Sequence, residues 1–326
     1  MSSTFADAFY FDSLVWDWII AIYLFLAGMS AGAVMIAIYL KRKVIEGNPA
    51  ANGMIKATAI LAPLGIISGL TILIFHLTKP LSFWKIMIFY NPTSIMSMGV
   101  ILFQVYMMVL FAWLAVIYKD EVVTFLKDRV PVAKKVLPLI EKVLPQLKKF
   151  ENGIELFLGF LAILLAAYTG FLLSALKTYP LLNNPVLPIL FLFSSLSSGA
   201  AACLLFGIIG FKESVHSASV KWIHKFERPV VLFELFVLFA FFIGLILGGG
   251  QKEAAAMAAI GEGFWANWFW YGVIGLGMLV PLTLNFVSPE GVKHHKAFIM
   301  LVTSLSLLGV LMLRTFILYA GQMTIV

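Results

Sequence analysis

Charged side chains are scarce in this chain of 326 residues, where Asp, Glu, Lys and Arg together make up 12%. Soluble domains carry about 25%, so this chain lacks the polar coat of a globule in water. Cysteine is nearly absent. The single Cys203 excludes a disulfide framework and a thiolate metal site, and it reads as a small packed hydrophobe. Histidine is sparse too, at His76, His216, His224, His294 and His295. A di-haem b-type subunit needs paired histidines inside its membrane spans as axial ligands, and no such pair exists here. No His, Cys and carboxylate residues stand at metal-ligand spacing, and neither a Walker nor a dinucleotide glycine motif occurs. The protein is therefore expected to hold no haem and no metal of its own.

Apolar residues fill the space that charge leaves. They make up 62% of the sequence, with a mean hydropathy of +1.00. About 20 such residues cross a bilayer as a helix, at about 1.5 Å each against a core of about 30 Å. The apolar runs predict spans near 16–40, 56–76, 94–118, 154–176, 187–211, 229–249, 266–287 and 297–322. The expected fold is all-α, a polytopic membrane bundle of eight transmembrane helices in two four-helix halves. Residues 1–118 would hold the first three spans, 119–153 a basic linker, and 154–326 the other five. The acidic stretch before the first span (Asp7, Asp12) has no basic n-region, so it is expected to stay rather than be cleaved as a signal peptide.

Orientation follows from Lys and Arg. With the N-terminus outside, 18 of them fall in inner loops and four (Lys79, Lys85, Lys177 and Lys252) in outer ones. That asymmetry fits the positive-inside rule and places both termini on the outer, periplasmic side of the cytoplasmic membrane. The net charge of +7 then reflects inner loops facing anionic lipid, and it calls for no nucleic acid. In the loop 119–153, Val136, Ile140, Val143, Leu144 and Leu147 alternate with Lys134, Lys135, Lys142, Lys148 and Lys149. This pattern predicts a helix lying in the inner interface, bent at Pro138 and Pro145.

Small residues supply packing signals. Gly28 and Gly32, Gly65 and Gly69, and Gly244 and Gly248 form three GxxxG pairs, each expected to seat a neighbouring helix. Ser-Ala-Gly-Ala at 30–33 and Ser-Ser-Gly-Ala at 197–200 hint at duplicated halves. Trp16, Trp18, Trp265, Trp268 and Trp270 read as an interfacial aromatic belt.

A few polar residues lie where packing alone would avoid them, since an ionisable group in a bilayer costs about 2.5–3.5 kcal/mol on insertion scales. Tyr23 in the first span, Tyr168 in the fourth and Arg314 in the eighth fall at similar depth from the outer side. His76 closes the second span there. Glu155, Glu227 and Glu234 form a second layer toward the inner side, with Glu227 at the interface.

Several runs resemble the polysulfide reductase NrfD/PsrC family. They are Tyr-Leu-Phe-Leu-Ala-Gly-Met-Ser-Ala-Gly-Ala at 23–33, Leu-Thr-Lys-Pro at 77–80 with Trp84, and Asn-Pro-Thr-Ser at 91–94. Ala-Tyr-Thr-Gly-Phe-Leu-Leu-Ser at 167–174, Asn-Asn-Pro at 183–185 and Leu-Arg-Thr-Phe at 313–316 join them. The resemblance spans all eight helices. It implies a haem-free membrane subunit that binds a quinone, with menaquinone expected, near the outer surface. It also implies electron exchange with an extracytoplasmic iron–sulfur subunit serving a catalytic reductase subunit. The family's functional positions are matched by Tyr23, Tyr168, Glu227, Glu234 and Arg314. Where relatives can carry a carboxylate at the end of the second span, His76 stands here.

Chemistry and resemblance meet in one reading. A quinone offers two ring oxygens, each needing a hydrogen-bond partner, and Tyr23 and Tyr168 can supply hydroxyls. His76 can accept a proton near neutral pH, and Arg314 can steady developing negative charge. Glu227, Glu234 and Glu155 are expected to move protons from the inner side. The loops around 77–92 and 177–186 are expected to dock the iron–sulfur partner. A secondary transporter and a passive membrane anchor are the rival readings, and polysulfide, tetrathionate, thiosulfate and nitrite all remain open as terminal substrates.

Overall fold

Inside lipid every backbone N–H and C=O must be satisfied within the protein, which leaves a long apolar run little choice but the helix. The computed structural model describes residues 8–119, 121, 123–124, 137–293 and 295–325. Eight helices in it are long and apolar enough to span a membrane. They are α1 (Trp18–Lys43), α2 (Gly53–Phe75), α3 (Ile95–Ile117), α4 (Glu151–Ser174), α5 (Leu187–Ile209), α6 (Ala218–Leu247), α7 (Phe264–Val287) and α8 (Lys296–Gln322). No strand occurs among the described residues. Side-chain caps fix several starts: Asp17 accepts from the Ile19 N–H, Asn52 from Met54, Ser94 from Ser97 and Ser217 from Val220. The end of the bundle carrying both termini is called the terminal face below, and the other the basic face.

One boundary differs from expectation. Helix α6 begins at Ala218 rather than near 229. Lys221, Lys225 and Glu227 interrupt the apolar run but are good helix formers, so apolarity ends there while the helix does not. Glu227 consequently sits inside α6, where it is buried among neighbouring helices. The middle of α7, Trp268–Leu279, is wound as a π-helix.

Helices α1 and α5 form the centre, and the packing of the two sets of four follows one pattern. In the first, α1 packs on α2 and α4, and α3 on α4; in the second, α5 packs on α6 and α8, and α7 on α8. The two small-residue motifs meet where α1 crosses α5. A Cβ on Gly32 would lie 1.8 Å from the Ser195 carbonyl oxygen, and one on Gly199 2.2 Å from the Gly32 carbonyl carbon. Only glycine permits that approach. Gly65 and Gly69 likewise seat α2 against α1. The third pair does not behave as expected, because a Cβ on Gly244 would meet nothing within 4 Å.

The tryptophan belt also needs correction. Trp18 and Trp270 are exposed, but Trp265 is buried, stacked on Tyr319 at 5.1 Å and donating to the Ala8 carbonyl. In the linker, Leu137–Lys149 is helical with Pro145 inside it. Asp7, Lys134, Lys135 and Val136 lie outside the described residues.

Candidate functional site

Near the terminal face, α1 to α4 enclose a cavity of about 310 Å³. Its walls are mainly apolar: Ile20 from α1, Leu70 and Leu73 from α2, Met96, Val100 and Phe103 from α3, and Leu172 from α4. Its polar lining is Tyr23, Tyr168, His76 and Thr78. A mostly apolar pocket with a few convergent polar groups is the usual form of a small-molecule site. Both tyrosines are buried, whereas His76 caps the end of α2 and is exposed at the mouth. Neither tyrosine hydroxyl makes a hydrogen bond to protein among the described residues. Both are therefore free to engage a molecule in the cavity.

The ring positions are set by neighbours. Phe103 stands edge-on to Tyr168 at 5.9 Å and is tilted against Tyr23 at 6.1 Å. A Cβ on Gly99 would come within 1.9 Å of the Tyr168 hydroxyl, so Tyr168 lies directly on the α3 backbone. Leu77 follows α2 in the wall, and Val15 and Trp16, which precede α1, complete it. Their backbone is held by the side chain of Gln322 at the end of α8.

Arg314 does not line this cavity, although its depth along α8 matches that of the tyrosines. It is wholly buried and turns toward α4 and α5. Its Nη1 donates to Thr169 Oγ1 at 3.3 Å, and its Nη2 to the Phe191 carbonyl, Ser194 Oγ and Ser195 Oγ at 3.0, 2.8 and 3.0 Å. The guanidinium also sits 3.6 Å from the centre of the Phe191 ring, a cation–π contact. Glu234 on α6 lies within its electrostatic reach. The two do not touch, and Arg314 Nε and Glu234 Oε1 are both buried without a hydrogen-bond partner among the described residues. Depth along the helices puts Arg314 and Glu234 in separate layers; the structure joins them. Thr169 follows Tyr168 in the chain, so Arg314 is bonded to the turn of α4 that carries a cavity tyrosine.

Glu227 lies seven residues before Glu234 on the same buried face of α6, about 10 Å along the axis. Neither of its carboxylate oxygens has a hydrogen-bond partner among the described residues. Glu155 is expected from its position to belong with these carboxylates, but its surroundings differ. It forms ion pairs with Lys41 and with Arg42, the latter at 2.8 Å, and it accepts from the Trp113 indole at 3.1 Å. Lys41 also pairs with Glu151. This cluster ties α1, α3 and α4 together at the basic face, and Glu155 is fully engaged within it.

The family model described as polysulphide reductase, NrfD, matches residues 7–326. The chain belongs to that family. It is 49% identical to Protein NrfD of Escherichia coli strain K12 over 99% of both proteins. It is 46% identical to the NrfD homolog of Haemophilus influenzae over the full length of both. It is 43% identical to the C subunit of polysulfide reductase from Wolinella succinogenes over 96% of each. This NrfD-family protein is thus an integral membrane protein of the polysulfide reductase C type.

Sequence reading missed several residues that shape the site. Gly99, Phe103 and Gln322 carry no charge and stand in apolar or terminal stretches, so neither periodicity nor insertion cost marks them. Ser194 and Ser195 are visible only as part of a small-residue helix, and nothing local announces that they hold an arginine. Among the described residues, no group of three or more His, Cys, Asp or Glu stands together as metal ligands would.

Proposed function

We propose that this protein is the quinone-binding membrane subunit of a respiratory oxidoreductase. It would sit in the cytoplasmic membrane with the terminal face outside. There it exchanges electrons between a membrane quinol and an extracytoplasmic iron–sulfur subunit that serves a reductase of the polysulfide or sulfur type. The observation that carries this reading is the cavity uniting Tyr23, Tyr168 and His76 near the terminal face. Its two unengaged hydroxyls suit the two oxygens of a quinone ring, and its apolar walls suit the ring and the first part of a tail.

A quinol that becomes a quinone releases two electrons and two protons. Tyr23 and Tyr168 hydrogen-bond the ring oxygens and hold the ring at a fixed depth. His76, at the mouth, takes a proton toward the aqueous side. The electrons pass to the partner, so the partner must dock close to the mouth. Leu81, Ile88 and Phe89 are strongly exposed just beyond His76 and supply an apolar surface for it. On the far side of the cavity wall, Glu227, Glu234 and Arg314 form a buried row reaching toward the basic face. We assign that row to proton movement from the cytoplasm, with Glu155 kept apart as a structural ion pair.

Replacing Tyr23 and Tyr168 singly by Phe tests the site in the assembled complex. Binding of a quinone analogue and quinol-dependent reduction of the terminal substrate are measured together. Both should fall, while artificial-dye reduction by the partner subunits stays unchanged. A protein that serves only as an anchor would tolerate both replacements, and unchanged analogue binding would end the assignment.

A further inference from the structure

We infer that the quinone enters and leaves its cavity sideways, through a gap between α2 and α3 that also holds its isoprenoid tail, an inference that rests on the quinone site proposed above. The cavity of about 310 Å³ has space for a ring and the start of a tail. The rest of a long tail has to leave through a wall. The mouth beside His76 leads toward water and the docked partner, which an apolar chain avoids. A seam between helices that faces lipid is the alternative.

Three sides of the cavity are closed by packed helices, α1 against α2, α1 against α4 and α3 against α4. Glycines tighten two of these seams. A Cβ on Gly65 would come 3.1 Å from the Leu26 carbonyl oxygen, one on Gly69 3.3 Å from the Tyr23 ring, and one on Gly99 would strike Tyr168. The fourth side is different. Helices α2 and α3 meet only lightly, and among the described residues no side-chain hydrogen bond, ion pair or ring contact joins them. Both nevertheless line the cavity, α2 through Leu70 and Leu73 and α3 through Val100 and Phe103. Leu70, Leu73 and Val100 keep part of their surface exposed.

The chain linking α2 to α3 hangs beside this opening. Gln104 of α3 accepts from the Tyr90 hydroxyl at 2.7 Å and donates to the Met87 carbonyl at 3.1 Å, and Ser97 Oγ accepts from the Asn91 N–H at 2.7 Å. Ser97, Val100 and Gln104 follow one another at helical spacing and share a face of α3. The linker is therefore fastened to the face that carries a cavity residue, next to Phe103 in depth. Beyond Leu77, none of its hydrogen bonds among the described residues runs to α2. Linker and α3 form one edge of the gap and α2 the other, so a chain can pass without a hydrogen bond breaking. A rival route is less suited. A second hollow of about 280 Å³, lined by Ile22 and Phe75 between α1 and α2, shares only His76 with the cavity, and the seam closed by Gly65 and Gly69 lies between them.

The test uses the complete complex in proteoliposomes and two photoreactive naphthoquinones, one with the reactive group on the ring and one with it at the end of a short isoprenoid tail. The ring probe should mark α1, α3 or α4 beside the cavity. The tail probe should mark residues 67–74, 83–91 or 100–107, and excess quinol should suppress both. Ile74→Trp adds bulk one turn from Leu70 on the same face of α2, outside the cavity lining. It should lower kcat/KM for a long-tailed quinol by about tenfold, the effect of one overpacked side chain, and leave a tail-less naphthoquinol near wild type. Ile22→Trp, in the rival hollow, should change neither. Tail labelling elsewhere or nowhere, equal relative rates for the two quinols in Ile74→Trp, or a tail-specific loss in Ile22→Trp overturns the route while the quinone site stands. Absence of ring labelling that quinol suppresses ends the quinone site itself, and the route with it.

Discussion

The side-chain amide of Gln322 grips the backbone of Trp16 at both ends: its Oε1 accepts from the Trp16 N–H at 2.9 Å, and its Nε2 donates to the Trp16 carbonyl at 2.8 Å. The same Oε1 accepts from Val15 N–H, and Ser13 Oγ donates to the Gln322 carbonyl. The last turn of α8 thereby holds the segment that walls the cavity beside Tyr23. Gln322→Leu keeps the volume and removes every side-chain hydrogen bond. Unmade buried hydrogen bonds cost about 1–3 kcal/mol each, so the variant should lose thermal stability. A loosened wall should also raise KM for quinol more than it lowers kcat. Gln322→Glu retains the acceptors and should recover part of that loss. A KM equal to wild type in Gln322→Leu would remove the link between this clamp and the cavity.

Gly99 and Tyr168 make a second testable pair. The Cβ of Gly99→Ala would overlap the Tyr168 hydroxyl, so the ring has to move out of its place in the cavity. Quinol-linked turnover should fall at least as far as it does in Tyr168→Phe. Gly153→Ala is a suitable control, since its Cβ meets nothing within 4 Å. An alanine there should be neutral or gain up to about 1 kcal/mol of helix stability. Normal quinol turnover in Gly99→Ala would mean that the position of the Tyr168 hydroxyl is unimportant.

Much of this organisation is legible in the residues, and the exceptions have a common cause. Helix rise converts a sequence position into a depth, and depth alone groups Tyr23, Tyr168 and His76. Depth does not give the direction in which a residue faces around its helix. Arg314 shares their level but faces α4 and α5, and so belongs with Glu234 instead of the cavity. Glu155 departs from expectation for a related reason. Its partners Lys41, Arg42 and Trp113 come from other helices, and no spacing within α4 reveals them. The start of α6 escapes a reading based on apolarity, because Lys221, Lys225 and Glu227 continue the helix without being apolar.

Glu155 should matter for stability more than for proton movement. Removing one member of a buried ion pair costs about 3–5 kcal/mol, because its partners are left uncompensated. Lys41 is partly exposed and can regain some hydration, so the lower end of that range is expected for Glu155→Ala. Glu155→Gln retains an acceptor for Trp113 and should be milder. Thermal denaturation of the purified complex would show the loss, while quinol turnover at low temperature should stay near wild type. A variant of normal stability and lost turnover would return Glu155 to the proton-transfer group.

Arg314 and Glu234 permit a sharper separation of structure from function through a double-mutant cycle. Each is almost wholly buried, and each is within electrostatic reach of the other. Arg314→Gln removes the cation within electrostatic reach of Glu234, and Glu234→Gln removes the carboxyl group within electrostatic reach of Arg314. Either single change should therefore destabilise the protein, whereas the double change removes both charges and should recover part of the loss. The recovery should be incomplete, because Gln at 314 cannot reproduce the bonds to Thr169, Ser194 and Ser195 and the contact with Phe191. Turnover should behave differently. If the pair serves only to balance charge, quinol oxidation returns with stability in the double variant. If Glu234 carries protons, oxidation and membrane potential stay low in the double variant even where folding is restored. We expect the second outcome, since an amide cannot take up and release the proton that a carboxylate can. Coincident recovery of stability and turnover would reduce the pair to a structural role.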